Sequence, residues 1–484
     1  MYQKKCIYQG FFILLWIFIL ICDSVSVHAA ASDSAVPVPE AAADPAGDSV
    51  APETPTPEPL PTLPPSYYEP IQTNDIQDWP EGPPVYAESA VVMDIDTGTI
   101  LYSKNMDDQK YPASITKIMT TLLAIENSHL NDRVIFSDNA IWGIERDSSH
   151  IGIRIGENIS MKDCLYGMML ASANEVCLAV AEHVAGDVDS FVALMNDKAK
   201  ELGCKNTHFT NPNGLPDEQH YTTAYDMALI AKAAFQNDTF REVCSTKAYR
   251  IGWTNVTGED RWLGNHHKMM WEDSEYYYEG CLGGKTGYTD VALNTLVTYA
   301  NRNDRNLLCV TMRTQGRQIY PDTALLLDYG FTNFYQISVS EGKGREYSNY
   351  LLPFPSLFLN YYSEATKSDI LKNTLAAVPA EVTFDNLDLT VAADENVITR
   401  TFTYNGYVVQ TDHIRQPAGV ITLFNKHEET SVFAVPPSNV TDSFSSLPEW
   451  KYPVLALFGL AVLLLIIRLI LFTMKRIKKK KRKQ

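Results

Sequence analysis

Where the strand-like segments fall constrains this fold more than any other feature of the chain. Val91-Val92-Met93-Asp94-Ile95, a turn at Asp96-Thr97-Gly98 and Thr99-Ile100-Leu101-Tyr102 read as a β-hairpin. A matching pair at 295–299 and 307–311, joined through Asn301-Arg-Asn-Asp304, comes late in the chain. Between them the apolar spacing is helical, over 115–126, 161–169, 175–185, 189–202 and 223–235. Strands first and last with helices inserted between them require a sheet whose sequence-distant ends meet in space. The expected class is α+β or mixed α/β, a sheet with a helical subdomain to one side, and not a βαβ repeat.

The chain carries more than this domain needs. Its 484 residues leave room for two or three domains. Lys4-Lys5, an apolar run over 7–21 and small residues around Val27-His28-Ala29-Ala30 have the layout of a secretory signal peptide, expected over 1–30. Cys22 follows Leu20-Ile21, which are bulkier than a lipidation site needs. Residues 31–85, rich in Ala, Pro, Asp and Glu at their start, are expected as a disordered linker, with order resuming near Ala87. After the domain expected over 86–335, short strand candidates at 382–384, 387–391, 397–404, 407–411 and 420–424 suggest a separate β-rich domain over 338–437, followed by a connector over 438–452. Residues 453–473 are apolar apart from Arg468, long enough to span a bilayer. Eight Lys or Arg between Lys475 and Lys483 then form a basic tail over 474–484, the positive-inside pattern. The expectation is a single-pass membrane protein whose folded part lies outside the cytoplasm.

Charge narrows the partners. Residues 30–450 hold 28 basic and 57 acidic side chains, a net charge of about −29. Such a surface argues against nucleic acid or anionic lipid as a partner, so any anionic substrate needs a local positive site. Six cysteines lie beyond the signal segment: Cys164, Cys177, Cys204, Cys244, Cys281 and Cys309. Six allow 15 pairings and the spacing selects none. Mostly buried free thiols are the favoured reading, and no Cys/His cluster suggests zinc.

Three short strings carry the chemistry. Ser114-Ile-Thr-Lys117 opens an apolar helix (Ile115, Ile118, Met119, Leu122, Ile125), which puts Lys117 one turn from Ser114 on the same face. The helix start favours a developing anion, and a buried amine can take the serine proton. Ser340-Glu-Gly-Lys343 has the same spelling, but sits in a polar Gly-containing stretch with no apolar helix following. Ser172-Ala-Asn174 lies between two helical segments, where a loop can aim a hydroxyl and an amide at that pair. Ser137-Asp-Asn139 is the competing spelling and reads as an N-cap. Gly283-Gly-Lys285-Thr286-Gly287-Tyr288 places glycines around a cation on a strand, where a ligand backbone can lie close. Lys285 and Thr286 suit a terminal carboxylate.

In this order the strings resemble the serine-type D-alanyl-D-alanine carboxypeptidases, the low-molecular-mass penicillin-binding proteins. Trp142-Gly-Ile-Glu145, Ser148-Ser-His150, Asn211-Pro-Asn-Gly-Leu-Pro216 and His220-Tyr-Thr-Thr-Ala-Tyr-Asp226 are similar to that family's connecting segments. The resemblance covers about residues 86–335. It implies an α+β, β-lactamase/transpeptidase-like catalytic fold, an antiparallel sheet flanked by helices plus a helical subdomain, with Ser114 acylated, Lys117 as proton acceptor and Ser172 relaying protons to the leaving amine. Asn174 would hold the substrate amide, and the N–H groups of Ser114 and Tyr288 would form the oxyanion hole beside Gly287. Lys285, Thr286 and Arg317 would bind the carboxylate of D-Ala-D-Ala. The implied partners are peptidoglycan stem peptides, β-lactams as inhibitors and the membrane; no metal or organic cofactor is implied, and the oligomeric state is left open. A full membrane span with a long basic tail departs from members anchored by an amphipathic helix. Two rival readings share the pocket: a β-lactamase, against which the lack of a Glu-x-x-Leu-Asn segment between Ser172 and Lys285 counts, and a penicillin-sensing receptor, against which the short tail counts.

Overall fold

The computed structural model describes residues 63–145, 147–338, 374–394, 397–415 and 433–434. The expected signal peptide, basic tail, membrane span over 453–473 and Ser340 motif lie outside them, as does the strand candidate at 420–424. Among the described residues no helix is long and apolar enough to cross a membrane.

In chain order, the hairpin β1 (Ser89–Asp94) and β2 (Ile100–Lys104) leads through a short 3-10 turn, Ala113–Thr116, into α1 (Lys117–Asn127). Strand β3 (Arg133–Ile135), α2 (Asp138–Trp142) and β4 (Asn158–Ser160) precede a helical run: α3 (Met161–Leu170), α4 (Asn174–Ala185), α5 (Val188–Glu201), α6 (Ala224–Phe235) and α7 (Asp238–Ser245). A second hairpin, β5 (Ala248–Ile251) and β6 (Arg261–Gly264), leads to the long strands β7 (Cys281–Thr289), β8 (Leu293–Arg302) and β9 (Arg305–Thr314), then to α8 (Ile319–Asn333). Last come β10 (Phe334–Ser338), β11 (Leu375–Pro379), β12 (Asp388–Asp394), β13 (Val397–Tyr404), β14 (Tyr407–Arg415) and β15 (Phe433–Ala434).

The central sheet runs β2-β1-β9-β8-β7, antiparallel throughout. The first strands of the domain thus pair with the last, as the strand spacing requires. Alternate side chains sort its two faces. Val91, Met93, Val297, Leu308, Val310 and Met312 join the core shared with α1 and α3 to α7. Ala90, Val92, Leu296, Ala300, Leu307 and Cys309 face the other way, with Ile319, Leu326 and Leu327 of α8. Helix α8 has no counterpart among the expected helices, since Pro321 disguises a helix start: its missing N–H costs nothing in a first turn.

Two departures concern the ends of this domain. Order begins at least at residue 63, not near Ala87. The reason is the wholly buried Lys104, whose ammonium donates to Ser66 O at 2.5 Å, Val85 O at 2.9 Å and Ala87 O at 2.8 Å. Trp79 adds a buried ring and an Nε1–H bond to Leu101 O at 3.0 Å, so residues 63–85 are not the expected disordered linker. At the other end, 382–384 is no strand but leads into the 3-10 turn Phe384–Asn386, capped by Thr383. The continuously buried β11, which lacks alternation, pairs with β10. The sheet β14-β13-β12-β15 packs against the first hairpin. There Tyr407 Oη donates to Ile100 O at 3.1 Å, Thr99 Oγ1 donates to Val409 O at 2.5 Å, and the Trp79 and Tyr407 rings meet edge to face at 5.0 Å.

Candidate active site

Ser114 stands in the 3-10 turn immediately before α1. With three residues per turn, side chains at i and i+3 eclipse, so Ser114 and Lys117 align more closely than an α-helix would bring them. Lys117 Nζ lies 3.0 Å from Ser114 Oγ, 2.7 Å from Asn174 Oδ1 and 2.6 Å from Asn213 O. The last two are acceptors only toward an N–H, so they occupy two of the amine's positions and leave the third aimed at the serine oxygen. Lys117 is fully buried, and desolvation lowers its pKa to about 8 against a smaller upward pull from Cys177 and Glu175.

The turn is held from several sides. Thr295 Oγ1 on β8 donates to Pro112 O at 2.8 Å, and Thr120 Oγ1 donates to Pro212 O at 2.5 Å. His220 Nδ1 accepts the Thr210 N–H at 3.0 Å, so its proton sits on Nε2, which donates to Thr116 Oγ1 at 3.0 Å. Burial keeps that imidazole neutral, with a pKa lowered to about 4. Gly214 has φ +86°, and a Cβ there would lie 1.9 Å from Ala113 O. The 211–216 loop can therefore deliver the Asn213 carbonyl only because residue 214 has no side chain. Two non-glycine residues here occupy left-handed backbone, Ala113 at φ +51° and Ser172 at φ +58°.

Helix α3 closes its N-terminus with a Ser160/Asp163 capping box and ends at the Ser172-Ala-Asn174 loop, from which α4 begins. The pocket's far wall is tied to this loop: Asn174 N–H donates to Ser149 O at 2.8 Å and Ile151 N–H to Glu175 Oε1 at 2.7 Å. Glu175 is buried, desolvation raises its pKa, and its Oε2 has no partner. Ser137, the competing spelling, accepts the Ala140 N–H at 3.0 Å and caps α2, as its sequence context suggests.

Strand β7 forms the opposite wall. Ser114, Ser172, Asn174, Thr286, Gly287 and Tyr288 line one 780 Å³ cavity, together with Asn213, Glu145 and Ser148. A Cβ on Gly287 would sit 2.8 Å from Ser114 N and 2.4 Å from Thr295 Oγ1, so glycine lets the strand cross directly over the nucleophile. Lys285, one residue before Thr286, does not line this cavity and is 1% exposed. Its ammonium donates to Thr286 O at 2.7 Å. Burial first, then the Lys117 charge, lower its pKa to about 7. Arg317 lies in an adjoining 1090 Å³ depression, 3.6 Å from Glu275, while His266, Asn294 and Tyr320 border both cavities. Trp271 and Tyr276 line that depression too.

Known proteins similar to this chain include several D-alanyl-D-alanine carboxypeptidases. The D-alanyl-D-alanine carboxypeptidase family, peptidase S11, matches residues 77–316. The D-alanyl-D-alanine carboxypeptidase DacA of Haemophilus influenzae is 32% identical over 289 residues, 57% of this chain and 70% of its own. DacB2 of Mycobacterium tuberculosis is 31% identical over 266 residues, 54% of this chain and 86% of its own. The chain belongs to the D-alanyl-D-alanine carboxypeptidase family. DacF of Bacillus subtilis is 35% identical over 254 residues, 51% of this chain, and the match spans 63% of that relative's length. Among solved structures, the D-alanyl-D-alanine carboxypeptidase from Mycobacterium tuberculosis H37Rv aligns at 28% identity with a TM-score of 0.49, over 53% of this chain and 95% of its own. Three residues to which the sequence assigns no role are brought to the site by the fold. Asn213 contributes a backbone carbonyl, which no side-chain pattern can advertise, and Gly214 announces only a turn. Glu175 directly follows Asn174 and its charge acts on Lys117, so it could have been found by asking what a carboxyl does next to that loop.

Proposed function

We propose that this protein is a serine-type D-Ala-D-Ala carboxypeptidase that removes the terminal D-alanine from peptidoglycan stem pentapeptides and is inactivated by penicillins. The observation that carries this is the Lys117 amine, 3.0 Å from Ser114 Oγ with its other two positions taken by Asn174 Oδ1 and Asn213 O. In its neutral form that amine has a lone pair facing the serine hydroxyl. Ser114 Oγ attacks the penultimate D-alanyl carbonyl as Lys117 takes its proton. The N–H groups of Ser114 and Tyr288 receive the oxyanion, a contact typically worth about 3–4 kcal/mol per donor. The proton passes by way of Ser172 to the leaving nitrogen, the C–N bond breaks and D-alanine departs. Water then attacks the Ser114 ester, Lys117 accepts its proton, and the serine hydroxyl is restored. Thr286 presents its hydroxyl to the terminal carboxylate, with Lys285 adding charge from the same strand and Arg317 from the adjoining depression.

Export through the segment over 1–30 and anchoring by 453–473 would place this chemistry outside the cytoplasm, where stem peptides are. The β-rich residues after Phe334 would serve as a pedestal above that anchor. The test is incubation with a D-Ala-D-Ala-ending peptide and a labelled penicillin. Release of D-alanine together with a lasting penicillin adduct is expected, and both should vanish in Ser114→Ala and Lys117→Ala. Rapid penicillin turnover, an adduct without D-alanine release, or release surviving in Ser114→Ala would each overturn the proposal.

A further inference from the structure

The β5–β6 hairpin carries an exposed tryptophan beside the catalytic pocket and is built to keep it there. Trp262 is 73% exposed. Its neighbour Arg261 is locked to Glu157 by two hydrogen bonds, at 2.7 Å and 3.0 Å, and Glu157 has no exposed side-chain surface. Thr254 Oγ1 adds a third bond to that carboxylate at 2.7 Å. Burial pushes the Glu157 carboxyl up, but hydrogen bonds from Arg261, Thr254 and the Arg154 N–H together with the Arg261 charge outweigh it and hold the pKa below the usual range, so the pair stays charged. Across the hairpin, Arg250 pairs with Trp262 in register, and its guanidinium stands 5.9 Å from the indole centroid while binding Asp260 at 2.9 Å. The ring is thus fixed at its base and left open to solvent, which costs apolar hydration without any gain in packing.

Trp262 forms one wall of a 510 Å³ groove, with His150, Ile151, Arg261, Leu263 and His266. His266 also lines the catalytic pocket, and His150 directly follows the Ser148-Ser149 stretch of that pocket's wall. The groove is therefore continuous with the site of acyl transfer. Its volume lies within the range of small-molecule sites, and its walls combine one flat aromatic face with hydrogen-bonding edges. That mixture fits a pyranose ring, whose C–H face stacks on an indole while its hydroxyl and amide groups reach the imidazoles. An apolar partner would leave the imidazole edges unpaired.

We propose that the groove bounded by Trp262, His150 and His266 is a saccharide subsite that holds the glycan strand carrying the stem peptide. The inference rests on the stem-peptide reading of the catalytic pocket. Trp262 is a specificity-determining residue in this scheme: it touches the glycan and leaves the chemistry at Ser114 unchanged.

The experiment compares the full-length wild type and Trp262→Ala on two substrates, a free pentapeptide and a polymeric glycan bearing the same pentapeptide. On the free peptide, kcat/KM should agree within about twofold. On the glycan-borne peptide the variant should lose about tenfold through KM with kcat retained, the size expected for one stacked ring, and Trp262→Tyr should recover most of it. Equal losses on both substrates, or no loss on either, would overturn the subsite. Calorimetric titration of Ser114→Ala and of the Ser114→Ala/Trp262→Ala double variant with peptide-free N-acetylglucosamine oligomers reads the groove without catalysis. Binding by the first and not the second is expected, and absence of binding by both overturns the subsite. A wild type that cleaves neither substrate would instead refute the carboxypeptidase reading.

Discussion

At Lys117, burial and three fixed contacts make the proton inventory of the site a matter of two lysines. The proposed mechanism needs Lys117 neutral and Lys285 charged. Burial is the larger cause of the low Lys285 pKa and the Lys117 charge the second, so loss of one proton from the pair weakens the pull on the other, which leaves at higher pH. Because burial lowers the Lys117 pKa to about 8, its neutral fraction grows as pH rises through that value. Penicillin acylation should therefore accelerate from acid pH up to about 8 and fall again where the remaining lysine charge is lost. A stopped-flow rate that stays flat between pH 6 and 9 would contradict this assignment of the base. The two serine spellings separate at the same scale. Ser137→Ala should cost roughly 1 kcal/mol of stability through the lost cap on α2 and leave acylation unchanged, a combination read by thermal melting beside penicillin labelling.

Among the elements, the loop over 211–216 and strand β7 matter for how closely they approach the nucleophile's turn. Gly214→Ala forces a Cβ to 1.9 Å from Ala113 O and needs a left-handed backbone. The loop must retreat, taking the Asn213 carbonyl away from Lys117. The expected outcome is loss of penicillin labelling with a fall in melting temperature, checked by the two measurements on one preparation; full labelling would show that the loop adapts. The pairing of β7 with β8 decides which of its side chains enter the pocket. Gly287 lies opposite Thr295 and Lys285 opposite Val297, so these two share one face of the strand while Thr286 takes the other.

For the molecule as a whole, the N-terminal segment and the late β-strands share a core around Trp79, Phe334, Phe402 and Val409. Lys104 is the polar centre of that assembly. Lys104→Met leaves the carbonyls of Ser66, Val85 and Ala87 without their buried donor. A loss of about 3 kcal/mol or more is expected, since each orphaned group costs about 1–3 kcal/mol. Denaturant melts should show it, with faster amide exchange in residues 63–88 than in the central sheet. Unchanged exchange there would mean that Trp79 alone secures the segment.

The pairing of Ser114 with Lys117 and the Ser172-Ala-Asn174 loop beside them were legible in the chain, because each demands side chains at a fixed spacing. So was the meeting of the first hairpin with the last, because apolar alternation defines strands whatever their separation. Three features were decided only on folding. The Asn213 carbonyl belongs to the backbone and has no side-chain signature. The sense in which Lys285 points depends on strand parity set by β8. The ordering of residues 63–85 depends on an ammonium contributed from β2, a long-range contact that local composition cannot encode.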